Sequence, residues 1–114
     1  MADTFTVERA VMNYRDEERT IFLILKDGVP VTSVNKHLVV SQCKKARPAS
    51  AIAYRTCVFM TYLASMGLSF ETAALDTVYD FLCWLFVEEA KSYTTIMAYI
   101  TELDALYTSL ILQG

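Results

Sequence analysis

The chain has 114 residues, 54% of them hydrophobic, only three Gly and two Pro, and a formal net charge of -3. So apolar a chain can bury one domain-sized core and is not disordered, and so few turn residues argue for helices over a turn-rich sandwich. The longest apolar run, Val78 to Val87, is broken by Asp80 and falls well short of the ~20 residues of a membrane span. The start MADTFTVERAV has no secretory pattern. We therefore expect a cytoplasmic protein with no membrane partner. The three cysteines, Cys43, Cys57 and Cys83, are odd in number and widely spaced, which fits reduced, buried thiols better than a disulfide frame.

Residues 4–25 read as two strands, TFTVERAVMNY and TIFLIL, joined by the charged turn RDEER and closed by the turn LKDG; TIFLIL is short enough that periodicity also allows a helix segment. A lone ribbon is marginal in water, so it must pack on something. We divide the chain into an N-terminal β-ribbon appendage, residues 1–29, and a helical domain, residues 30–114. In the first helix Thr32 or Ser33 is a capping candidate, with Val34 and Leu38 facing inward. Pro48 fits the first turn of the second helix and Gly67 its stop. This helix carries one stripe of Ile52, Phe59 and Leu63 and another of Ala53, Cys57, Met60 and Ala64, so most of it should be buried. Asp76 or Thr77 would cap a third helix with Val78, Phe81, Leu82 and Leu85 inside. Ser92 or Thr94 would start a fourth, whose Ile96, Tyr99, Ile100, Leu103, Leu106, Tyr107 and Leu110 follow helical spacing. The fold class expected is mainly α, a compact four-helix bundle with a short N-terminal ribbon.

Charge is segregated along the chain. Residues 28–70 hold five bases and no acid, while residues 71–114 hold seven acids and only Lys91. Segregation of this kind allows polyanion binding in spite of an acidic total. Lys44, Lys45 and Arg47 stand just before the second helix, whose N-terminus offers free N–H groups and the positive end of the helix dipole. These residues make either a phosphate-binding spot or a solvated basic linker.

In order, DGVPVTSVNKHL, PASAIAYR, LDTVYDFLCWL and SYTTIMAYITELDALYTSL resemble the core-binding half of tyrosine recombinases, the phage-integrase family. The resemblance covers residues 20–112. It implies a SAM-like helical bundle that clamps one face of double-stranded DNA, with the second and fourth helices across the major groove. The implied DNA-binding residues are Lys44, Lys45, Arg47, Ser50, Tyr54 and Arg55, then Ser92, Tyr93, Thr94 and Thr95. Ser50 stands where the family more often has Thr, and Met97 and Ala98 where it often has Asn or Arg. A DNA face should be cleared of carboxylates, and the acid-free stretch agrees with that. The resemblance further implies a full-length parent that assembles as a tetramer on DNA. A helical protein–protein interaction domain is the alternative reading.

The recombinase reaction needs a tyrosine nucleophile and a cluster of Arg, His and Lys. This chain has one histidine and no arginine in its second half. The family's catalytic residues lie in a separate domain, so we expect a non-enzymatic piece of a longer recombinase, with no catalytic residue, no cofactor and no metal. His37 and Cys43 are six apart, out of step with one helix face, so His37 reads as a surface residue. Asp76 with Asp80, and Glu88 with Glu89, read as capping and solvated positions. Trp84 reads as core. Tyr93, at a helix start, is where a ring could stack or meet phosphate.

Overall fold

The computed structural model describes residues 4–44 and 49–113. The chain runs β1 (Phe5–Tyr14), β2 (Glu17–Lys26), β3 (Val29–Pro30), α1 (Thr32–Lys44), α2 (Ala49–Ser65), α3 (Leu75–Val87) and α4 (Tyr93–Gln113). It is mainly α, with a small antiparallel sheet in the order β1-β2-β3.

Two tight turns shape the sheet. Arg15 and Asp16 take φ of 51° and 63° between the paired Tyr14 and Glu17. Asp27 and Gly28 take φ of 51° and 83° between Lys26 and Val29. Positive φ at both central residues is the twist that matches antiparallel strands, and Asp-Gly is well suited to it. The first hairpin turn is therefore two residues, not the five of RDEER; Glu17, Glu18 and Arg19 already pair with β1. Pro30 closes the short strand β3 at a sheet edge, where a missing N–H costs nothing.

β3 pairs only with Leu25 and Lys26, so the same edge of β2 is open from Ile24 backward. Two amide side chains of α1 take over there. Asn35 Oδ1 accepts from Ile24 N–H at 2.8 Å, and Asn35 Nδ2 donates to Ile24 O at 3.0 Å. Two turns later, Gln42 Oε1 accepts from Phe22 N–H at 2.8 Å and Gln42 Nε2 donates to Phe22 O at 2.7 Å. Each amide copies the donor–acceptor pair of a neighbouring strand, so α1 finishes the sheet edge without being a strand. Val31 N–H also donates to Ile24 O at 3.1 Å.

The clamp sets β2 into the core. Ile24 is fully buried in one cluster with Val34, Leu38, Ile52, Phe59, Leu63, Phe81, Leu85, Leu103 and Leu106. Phe81 is its aromatic hub, with Phe59, Tyr62 and Tyr99 at ring-centroid distances of 5.0, 5.2 and 5.6 Å. Such edge-on and tilted pairs fit the ring quadrupole. α1 packs against β2 on one side and α4 on the other. That encloses its polar residues, so His37, expected at the surface, is buried.

The helix ends follow local rules with some departures. Asn35 N–H bonds Val31 O, so Thr32 and Ser33 lie inside the first turn of α1 and do not cap it. α2 stops at Gly67, φ 72°, with Gly67 N–H on Ala64 O and Leu68 N–H on Leu63 O. That is a Schellman ending, and Leu68 packs back on the core. α3 begins one residue before Asp76, behind Ala74, with no side-chain cap; Asp76 instead places its charge in the first turn. Ser92 caps α4: its Oγ accepts from Thr95 N–H at 3.2 Å. α4 has the length and hydropathy of a membrane span, yet it buries Ile96, Tyr99, Leu103 and Leu106 in the bundle and carries Glu102 and Asp104.

Two of the thiols depart from expectation, and the Cys43 side chain lies outside what is described. Cys83 is exposed and Cys57 half-buried. Phe81 and Leu85 face inward on α3, and the residue midway between them on a 3.6-residue turn must face out.

The clamp makes a testable demand. Asn35→Ala strands the buried Ile24 N–H and leaves Ile24 O with Val31 N–H as its partner, so it should lower stability by about 2 kcal/mol. Gln42→Ala, at half-buried Phe22, should cost about 1 kcal/mol because water can replace the amide. Urea denaturation measures both, with the exposed Lys36→Ala as the control near zero. Equal, small losses for Asn35→Ala and Lys36→Ala would count against the clamp.

Candidate nucleic-acid interface

α2 and α4 touch along matching stretches. Arg55 Nη1 meets Glu102 Oε1 at 2.7 Å, and one turn further on Phe59 meets Tyr107 at a centroid distance of 6.2 Å. The contacts advance in the same sense on both helices. Their N-terminal turns therefore lie toward the same end of the bundle. Gln113, at the far end of α4, donates to Ser33 O at the start of α1 at 3.0 Å.

At the shared end the hydroxyl-bearing residues are open. Ser50, Tyr54, Ser92, Tyr93 and Thr94 are exposed, and Thr95 is half-buried. Tyr93 is 72% exposed, the most accessible ring in the set, and Tyr54 is 60% exposed. The Ser92 hydroxyl is occupied by its own helix: besides accepting from Thr95 N–H it lies 3.1 Å from Thr95 Oγ1. Lys44 is the last residue of α1; Lys45 and Arg47 lie outside the described residues, as does Pro48. The chain leaves α1 and enters α2 through these positions.

Arg55 departs from the rest. Its guanidinium pairs with Glu102, whose side chain is 5% exposed, and sits 5.9 Å from the centre of the Tyr99 ring. Both partners belong to α4. In the sequence Glu102 entered only the count of seven acids in residues 71–114, but it stands three residues after Tyr99, on the inward stripe. That spacing was the available signal.

Beside Tyr54 an open groove of about 720 Å³ runs along α2 toward the end of α3, lined by Cys57, Tyr62, Trp84, Tyr99, Glu89 and Lys91 among others. Trp84 is half-buried there, 5.2 Å from Tyr62. Glu89 and Lys91 put one charge of each sign at its margin, so the groove itself is not a basic channel. Among the described residues no group of three or more His, Cys, Asp or Glu side chains converges.

The buried phenols give the region a pH signature. Burial is the main reason that the Tyr99 hydroxyl is pushed up to about 12; nearby Tyr54, Glu102 and Glu89 add to the rise, and Arg55 opposes it. Burial also raises Tyr107, and raises Tyr62 with help from Asp80 and Cys83. A phenol with a raised folded-state pKa stays protonated in the fold while the unfolded chain ionises near the ordinary value of 10. Stability is thus complete below pH 10 and declines as pH rises toward about 12. Denaturant midpoints measured across that window should fall with pH, and Tyr99→Phe should flatten the fall. A midpoint that is flat across the window in the native chain would contradict the buried phenols.

No protein-family model, no curated protein and no solved structure matches the chain.

Proposed function

We propose that this chain is a SAM-like DNA-binding domain of a site-specific tyrosine recombinase and that it grips double-stranded DNA with the first turns of α2 and α4. The observation that carries the reading is the common direction of these two helices, anchored by Arg55–Glu102 and Phe59–Tyr107. It brings two helix N-termini toward one end of the bundle, each with free N–H groups and a positive dipole end. Ser50, Tyr54, Tyr93 and Thr94 supply exposed hydroxyls for phosphate oxygens. Lys44, Lys45 and Arg47 stand on the approach to α2, within a stretch of the chain that has no carboxylate. Contacts of this kind position the protein on the backbone, with few base edges read directly.

In this reading the domain supplies grip and orientation, and the cutting and joining of DNA belongs to a catalytic domain of a longer parent that acts as a tetramer. No covalent protein–DNA adduct should form with this chain on nicked substrates.

A second reading, a helical protein-interaction module, has its own support. α3 presents Leu75, Tyr79 and Phe86 to solvent at 83%, 67% and 60% exposure, spaced along one face of the helix. Exposed apolar residues in a row mark partner surfaces.

Duplex binding followed by fluorescence anisotropy against salt separates the two. The DNA-binding reading expects affinity at low salt that falls steeply as salt rises. Charge reversal at Lys44, Lys45 and Arg47 should weaken it by several-fold per charge at moderate salt, roughly as each lost phosphate contact demands. Tyr79→Ala should leave it unchanged. No affinity at low salt, or affinity indifferent to salt, would favour the interaction module.

A further inference from the structure

Arg55 is the only base on α2, and its side chain is turned toward another helix. Its guanidinium makes a 2.7 Å charge-assisted bond to Glu102 and lies 5.9 Å from the centre of the Tyr99 ring. The Arg55 side chain is 24% exposed, the Glu102 side chain 5%. Tyr99 is 3% exposed and is itself packed on Phe81, the hub of the core. Two faces of the arginine are therefore committed to α4. To reach a phosphate it would have to give up a 2.7 Å charge-assisted bond to a buried carboxylate, and breaking such a pair from one side is costly. A planar, forked cation holding a carboxylate and an aromatic ring at once also fixes angle as well as distance.

We infer that Arg55 is a positioning residue and not a DNA contact: with Glu102 and Tyr99 it bolts α2 to α4 and so holds their two first turns in one alignment. This rests on the DNA-binding reading above and refines it. The arginine works through α4, and the duplex is met by the residues that the bolt aligns.

The test uses Arg55→Met and the double variant Arg55→Met/Glu102→Leu. Apolar replacement of both members of a buried ion pair preserves packing, whereas removing one member takes a close charge partner from the other. Circular dichroism and thermal melting first establish folding. Duplex affinity is then measured as a function of salt. Arg55→Met is expected to bind about tenfold more weakly, an effect on the scale of couplings between touching residues. Its slope of log affinity on log salt should equal that of the native chain. The double variant should recover to within about twofold, again with the native slope. A slope shallower by about 0.9, the loss of one phosphate contact, in either variant would overturn the inference. So would a double variant as weak as the single one, or a folded Arg55→Met that binds like the native chain. Where Arg55→Met fails to fold, the double variant alone decides on the same slope criterion.

A native chain that binds no duplex removes the DNA-binding reading and not the bolt. The bolt is then judged by amide NMR spectra. Arg55→Met should displace signals in the first turns of both α2 and α4, including Ser50 and Tyr93 to Thr95, and the double variant should return them. Displacements confined to the neighbours of residue 55 would refute it.

Discussion

The structure hangs on the way α1 finishes the edge of β2. A ribbon of two strands has no interior of its own, and its backbone groups lose stability if they are covered without partners. Asn35 and Gln42 answer both needs: their amides satisfy Ile24 and Phe22 as a third strand would. With that edge satisfied, Ile24 can sit among Val34, Leu38 and Phe59, and ribbon and helices share one core. Without it, burying the same strand would cost more in stranded N–H and C=O groups than its apolar side chains return.

A second polar contact sets the other axis of the bundle. Arg55 and Glu102 join α2 to α4 where the packing is otherwise aromatic and aliphatic. A buried ion pair adds little net stability but penalises every arrangement that separates its members. Apolar packing alone tolerates sliding and rotation; the pair selects the alignment in which the N-terminal turns of the two helices look the same way. The DNA-binding proposal depends on that alignment more than on the count of basic residues. The acidic half of the chain does reach the region, through Glu102 inside and Glu89 at the groove margin. The absence of carboxylates in the linear stretch is thus only partly an absence in space.

Much of the fold was legible in residues. Helical spacing from Ile96 to Leu110 found α4, and Gly67 found the end of α2, because those signals act within a turn or two of themselves. Asp-Gly found the second tight turn for the same reason. What stayed hidden depends on partners distant in the chain. Asn35 and Gln42 resemble ordinary solvated helix residues until β2 is placed beside them; their seven-residue spacing is the trace they leave. His37 was misplaced because α1 is covered on two sides, which nothing within α1 reveals. In the run FLCWLF every residue is apolar, so periodicity could not say that Cys83 faces out and Phe81 in. Of the candidate interface, Ser50, Tyr54, Ser92, Tyr93 and Thr94 were proposed through a family resemblance and are exposed, whereas the inward turn of Arg55 required Glu102 to be seen on the inner stripe of α4.

The most direct test of the account is a map of where duplex DNA touches the chain, read residue by residue from amide NMR signals during titration with a short duplex at low salt. The signals that move should gather at the starts of α2 and α4, around Ser50, Tyr54 and Tyr93 to Thr95, and spare Leu75, Tyr79 and Phe86. Movement centred on that outer face of α3, or no movement at any residue, would contradict it.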